Sequence, residues 1–237
     1  MSPRDLSTLD WPSGQRIAVL APHPDDFDAI AVTLRFFHAR GDHIHLAVLT
    51  AGASGVENSY PGATDDAAKS ALRESEQRAS CTAFGLPPER VSFLRLAASE
   101  LAFNAENIAS VHDWLLPLQA DLVCMPHGND SNATHRTTYA LFSTVAAQAG
   151  LTLSALLNQD AKTVAIRHDL YLPFDAQTAD WKAGLLRLHV TQQQRNLNTR
   201  GHGFDERVLS VNRATASALG LADEYAEAFE LEHWPRP

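Results

Sequence analysis

Ala21-Pro22-His23-Pro24-Asp25-Asp26 is the stretch on which the reading of this chain turns. It follows the apolar run Ile17-Ala18-Val19-Leu20 and precedes a segment in which Phe27, Ile30, Ala31, Leu34 and Phe37 recur at three- and four-residue steps. The run predicts a strand over residues 16–21. The recurrence predicts a helix with one apolar stripe, ended by Gly41. Ile44 to Thr50 reads as a second strand, so residues 16–50 form a βαβ unit, whose crossover is right-handed almost without exception. An imidazole and two carboxylates therefore stand at the carboxyl end of a strand, the edge on which open α/β sheets bind ligands.

The pattern continues downstream. A polar loop runs from Thr50 to about Asp66, a helix is expected over residues 67–84, and a third strand over 91–96. A helix over 105–118 leads to a fourth strand, Asp121 to Pro126, whose tip opens into His127-Gly128-Asn129-Asp130-Ser131-Asn132-Ala133-Thr134-His135-Arg136. A helix over 137–149 follows. In the last third, strand character is read at 154–159 and 162–172, a helix at 176–194, a polar loop at 195–205, a helix at 207–219 and a strand at 224–231. The expected architecture is α/β, a Rossmann-like and mostly parallel sheet flanked by helices, with an irregular α/β extension at its C-terminal end. No repeat or low-complexity linker divides the chain, so one domain over 1–237 is expected, with residues 1–15 a loosely packed lead-in.

Composition excludes several classes of function. Nineteen Lys and Arg stand against 28 Asp and Glu, a formal charge of −9, which argues against nucleic acid as a partner because phosphate binding depends on clustered basic side chains. Cys81 and Cys124 lie in apolar sequence without CxxC spacing, so neither a disulfide framework nor a thiolate metal site is expected. No run approaches the roughly 18 apolar residues of a membrane span, and the N-terminus lacks a signal-like apolar core. The chain reads as cytoplasmic, and homo-oligomerisation stays open.

Three residues of this pattern carry metal-binding chemistry. If the first and fourth strands are neighbours, His23, Asp26 and His135 converge from two strand tips as N/O ligands of a divalent ion, with a position left for water. Asp25 then stands beside that water as a base. The same residues also admit a plainer reading: Asp25 or Asp26 as a helix N-cap, His23 as a turn residue and His135 as a solvated loop histidine. Gly52-Ala53-Ser54-Gly55 matches neither GxSxG nor GxGxxG, which weighs against a hydrolase elbow and against a nucleotide-binding Rossmann protein.

Several motifs in order resemble the PIG-L/LmbE-like family of zinc-dependent N-deacetylases. Pro22-His23-Pro24-Asp25-Asp26 is similar to that family's A-H-P-D-D signature, Arg73-Glu74-Ser75-Glu76 to its R-x-x-E helix, and Pro126 to Arg136 to its P-x-x-x-D-x-H-x-D-H-R loop. Weaker echoes are His189-Val190-Thr191-Gln192 and Tyr225-Ala226-Glu227-Ala228-Phe229. The resemblance implies zinc, or another divalent ion such as Fe2+, held by His23, Asp26 and His135. It implies Asp25 as general base and Arg73 as a substrate contact, with His189 supporting the site from behind. The implied substrate is a small N-acetylated sugar or sugar conjugate of the N-acetylglucosamine type.

Two departures stand out. The family's first loop histidine is replaced by Asn132 and its aspartate by Thr134, and Phe27 stands where many relatives carry an acid, with Asp28 next to it. An asparagine amide can donate to an oxyanion, a contribution of up to about 3 kcal/mol, but relays no proton. Asn132 is thus an oxyanion candidate, and proton return falls to Asp25 or to a neighbour such as His127. A non-catalytic carbohydrate- or metabolite-binding protein with the same fold is the alternative. Substrate choice is expected to rest on residues 53–66 and 195–205.

Overall fold

The computed structural model describes residues 2–235. The chain runs β1 (Arg4–Asp5), β2 (Arg16–Ala21), α1 (Asp26–Ala29), α2 (Ala31–Ala39), β3 (His43–Thr50), α3 (Asp66–Phe84), β4 (Val91–Ala97), α4 (Ala105–Leu115) and β5 (Leu122–Pro126). It continues through α5 (Ala133–Ala149), β6 (Leu153–Asn158), β7 (Leu170–Phe174), α6 (Ala176–Arg187), α7 (Val190–Arg200), α8 (Phe204–Ala218) and β8 (Tyr225–Trp234). The strands form one sheet in the order β1-β7-β8-β6-β5-β2-β3-β4. Neighbours are parallel except β8, which runs antiparallel to both β6 and β7. The expected α/β architecture holds, and the last third, read as an irregular extension, adds β7 and β8 to the same sheet.

Both faces of the sheet are covered, which explains why its strands are near-continuous apolar runs. Successive side chains point to opposite faces. Ile17, Val19 and Ala21 of β2 pack with Phe27, Ile30, Leu34 and Phe37, whereas Ala18 and Leu20 pack with Val111 and Leu115 of α4 and with Leu141, Phe142 and Val145 of α5. Removing the buried Phe142 ring, which meets Trp234 edge-on, would cost about 3–5 kcal/mol.

β2 lies between β3 and β5. The chain leaves β2 towards one side of the sheet and later returns on the other, so the crevice between the carboxyl ends of β2 and β5 is a topological switch point. The conditional adjacency of the first and fourth expected strands is therefore met, by Ile17, Ala18 and Val19 pairing with Leu122, Val123 and Cys124.

Several boundaries differ from the pattern reading, each for a tertiary reason. The first helix is broken at Ile30 (φ −120°, ψ 24°). There the Glu227 carboxylate, brought from β8, accepts the Val32 and Thr33 amides at 3.1 and 2.8 Å and starts α2 afresh. Glu227 is held by Lys182 Nζ at 2.7 Å, and the ammonium also donates to Asn212 and to the Ala29 carbonyl. Burial pulls the Lys182 pKa down, against the pull of Glu227. Four residues earlier than expected, α5 begins at Ala133, because Asn132 Oδ1 accepts the Thr134 amide and caps it. The expected strand over 162–172 begins only at Leu170, the helix over 176–194 is interrupted at Leu188 and His189, and residues 195–200 are helical rather than a loop. The lead-in is tied down: Arg4 and Asp5 pair with β7, and Leu6 is fully buried. Among the described residues no helix is long and apolar enough to cross a membrane.

Candidate metal centre and cleft

His23 sits on the turn after β2, Asp26 opens α1 and His135 lies in the first turn of α5. His135 is thus on a helix rather than on the loop where the sequence suggested it, and packing orients it rigidly. His23, Asp26 and His135 place one donor atom each within 4.8 Å of one another. His23 Nδ1 lies 3.1 Å from Asp26 Oδ2, His135 Nε2 lies 3.6 Å from Asp26 Oδ1, and the two rings are 5.4 Å apart. The plainer capping reading is not met: Asp25 makes no side-chain cap, and Asp26 accepts the His23 amide at 2.8 Å.

The donors of this cluster act strongly on one another through space. Burial pushes the Asp26 carboxyl up, but the adjacent His135 and His23 outweigh it and hold the group well below the usual carboxylate range. Burial pulls His135 down, but Asp26, Asp130 and Asp160 together raise it. Asp160 is raised, chiefly by burial and in part by Asp26 and Asp130.

Asp130, His135 and Asp160 make a second cluster with metal-ligand spacing. His135 decides between the two. Its Nδ1 is 3.1 Å from Asp130 Oδ2, and Asp130 is itself fixed by the Asn132 amide at 2.6 Å. Such a carboxylate fixes the tautomer with the proton on Nδ1 and leaves the Nε2 lone pair facing Asp26 and His23. Two imidazoles and a carboxylate, all lining one cleft, fit a divalent ion that accepts N/O ligands.

Asp25 is next to this group and is held in a costly conformation, φ 125°, a region sparsely populated by any residue with a Cβ and worth about 1–3 kcal/mol of strain. Two residues of α3, one turn apart, hold it there. Arg73 Nη2 donates to Asp25 Oδ2 at 3.0 Å and to the Pro24 carbonyl, and Gln77 Oε1 accepts the Asp25 amide at 2.8 Å. Gln77 Nε2 faces Asp28 Oδ2 at 3.3 Å, and Asp28 is completed by Ser80 at 2.5 Å and by His189 Nε2 at 2.6 Å. Only one orientation of the Gln77 amide serves both an N–H and a carboxylate. Asp28 therefore points inward, and His189 supports Asp25 through it.

Arg73 is buried and lines the cleft, its Nε and Nη1 without hydrogen-bond partners. Its contact with Glu76 is long, 3.9 Å, because Glu76 accepts the Thr191 amide and hydroxyl instead. Gly52, at φ +64°, lets the chain pass this guanidinium closely; a Cβ there would meet Pro24 at 3.0 Å and Arg73 at 3.3 Å. Asn132 also lines the cleft, and its amide nitrogen makes no hydrogen bond among the described residues. His127 is not brought in. It pairs with Glu230 at 3.3 Å and accepts the Asn129 amide.

The cleft has a volume of about 480 Å³. Ser54 and Gly55 from one expected specificity segment, and Arg195, Asn196 and Phe204 from the other, reach it. Residues the sequence reading passed over are Gln77, Ser80 and Asp160, whereas Asp130 stood in the Pro126–Arg136 motif without a role. Of these, Gln77 and Ser80 had a signal, since with Arg73 they recur at four- and three-residue steps as a polar stripe on a helix that must pack inward.

A family described as PIG-L, GlcNAc-PI de-N-acetylase, matches residues 18–146. The chain belongs to the PIG-L family. That span carries His23, Asp25, Asp26, Arg73, Asn132 and His135. No curated protein matches the chain. Among solved structures, the PIG-L chain is similar to N,N'-diacetylchitobiose deacetylase from Pyrococcus horikoshii, with 16% identity over 92% of this chain and 84% of that one, at a TM-score of 0.76. It is also similar to GalB, the 4-carboxy-2-hydroxymuconate hydratase from Pseudomonas putida KT2440, with 17% identity, coverages of 93% and 97%, and a TM-score of 0.70. A zinc-inhibited form of teicoplanin deacetylase Orf2 aligns at 13% identity over 94% of this chain and 100% of that one, at a TM-score of 0.67. At these identities the likeness is one of fold, and the fold hosts more than one named reaction.

Proposed function

We propose that this protein is a metal-dependent hydrolase that removes the acetyl group from an N-acetylated sugar or sugar conjugate. The observation that carries the reading is Asp25, a strained carboxylate held by Arg73 and Gln77 beside the donor cluster of His23, Asp26 and His135. A pure binding protein has no use for a base kept there at such cost.

His23, Asp26 and His135 would hold the ion, for which zinc suits the mixed imidazole and carboxylate set. When bound, a divalent ion supplies a Lewis acid that polarises the amide carbonyl and acidifies water. Asp25 accepts the proton of the attacking water and returns it to the leaving amine. Arg73 orients the Asp25 carboxylate through Nη2. The amide nitrogen of Asn132 donates to the oxygen on which charge develops, a contribution of up to about 3 kcal/mol. Asn132 relays no proton and His127 is engaged elsewhere, so the return of the proton rests on Asp25.

The test is acetate release from a panel of N-acetyl sugars by the zinc-reconstituted protein, with metal content measured. Asp25→Ala should keep the metal and lose activity by about 100-fold or more. Wild-type turnover in that variant, or no acetate from any amide despite full metal loading, refutes the proposal.

A further inference from the structure

The walls of the cleft carry charge that the chemistry above does not use. Lys162 follows β6, Arg195 lies on α7 and Arg207 on α8, and all three line the cleft. Among the described residues none of the three makes an ion pair. Arg195 donates only to the Ser54 carbonyl, at 3.1 Å, and the acids near Arg207 in sequence are spent, Asp205 on Arg187 and Gln193 and Glu206 on the Gly203 amide. Lys162 weakly opposes the raising of Asp160 but forms no contact with it.

The carboxylates of the cleft are mostly committed as well. Asp25 is matched by Arg73, and Asp26 and Asp160 face His135. Of the carboxylates that line the cleft, the exposed Glu100 is the one without a hydrogen-bond or ion-pair partner among the described residues. In a chain of formal charge −9, four cations line this one concavity against four carboxylates, and three of those cations stand without an ion pair. Low-dielectric walls focus such a field on whatever enters. Guanidinium groups in addition offer forked donors that match carboxylate and phosphate oxygens.

We propose that Lys162, Arg195 and Arg207 form an anion subsite, so that the substrate is an acylated amide carrying a phosphate or carboxylate some way from the reacting bond. This deepens the deacetylase reading and rests on it for the amide, but the anion subsite itself is tested by binding. Calorimetry on the zinc-reconstituted protein would compare N-acetylglucosamine, its 6-phosphate and N-acetylmuramic acid at low and high salt. At least one anionic sugar should bind about 10-fold or more tightly than the neutral one, with the advantage shrinking as salt screens it. The pair of anionic sugars separates a phosphate from a carboxylate preference. The triple variant K162A/R195A/R207A should bind all three alike while keeping its metal stoichiometry and thermal midpoint.

Equal binding of the three sugars, binding of none, or an anionic advantage that survives in the triple variant overturns the subsite. The last result would place the anion on the metal instead. Acetate release separates the two proposals. Release from neutral and anionic sugars alike leaves the deacetylase reading standing without the subsite. Selective anionic binding without release from any sugar leaves the subsite standing without the deacetylase.

Discussion

Replacing Gln77 by leucine tests whether the core holds the reactive carboxylate in place. Gln77 is fully buried, and its amide joins the Asp25 backbone N–H to Asp28. Leucine has similar bulk and neither a donor nor an acceptor, so the Asp25 N–H is left buried without a partner. That costs about 1–3 kcal/mol, and the lost donor to Asp28 adds about 1 kcal/mol more. The lost hydrogen bonds remove about 2–4 kcal/mol, offset in part by the backbone strain released at Asp25, and the net loss is read as a lower urea midpoint. With its anchor gone, Asp25 is free to relax from φ 125°, which releases strain of about 1–3 kcal/mol and moves the carboxylate. A displacement of about 1 Å costs on the order of 100-fold in rate. The loss should fall on kcat, and metal content should hold, because no donor to His23, Asp26 or His135 comes from Gln77. Gln77→Glu is the informative companion. It keeps an acceptor for Asp25 but sets a like charge against Asp28, so it should destabilise while keeping more of the rate. A leucine variant with the wild-type urea midpoint and the wild-type kcat refutes the argument.

Two further outcomes follow from buried groups away from the cleft. Lys182→Met should destabilise by about 3–5 kcal/mol, because it strands the Glu227 carboxylate; the double variant K182M/E227Q should recover part of this, and an unchanged melting temperature in the single variant would refute the account. Burial, aided by Asp28 for Cys81 and by Glu227 for Cys124, pushes both thiols up to about 12. A raised pKa means less thiolate at any lower pH, so native protein should resist iodoacetamide at neutral and mildly alkaline pH and react only once unfolded, as mass spectrometry would read.

Much of this protein is legible in its residues before any coordinates are known. Apolar strand runs alternating with helical stripes, with Pro22-His23-Pro24-Asp25-Asp26 after the first of them, are local signals. They place His23, Asp25 and Asp26 at a ligand-binding edge because strand and helix periods are properties of short segments. His135 was legible as a partner only on the condition that β2 and β5 are neighbours.

What tertiary structure alone decided are the relations between distant segments. Glu227 breaks the first helix from 195 residues away, a capping acid no local pattern reveals. Asn132 turns a polar loop into a helix start and so sets His135 on a rigid turn. Gln77, Ser80 and His189 converge on Asp28, and through it on Asp25, because a buried carboxylate must find donors wherever the fold supplies them. Lys162, Arg195 and Arg207 look unremarkable in sequence. Their meaning comes from the lack of ion-pair partners for them among the described residues, and pairing in a cleft is set in space rather than along the chain.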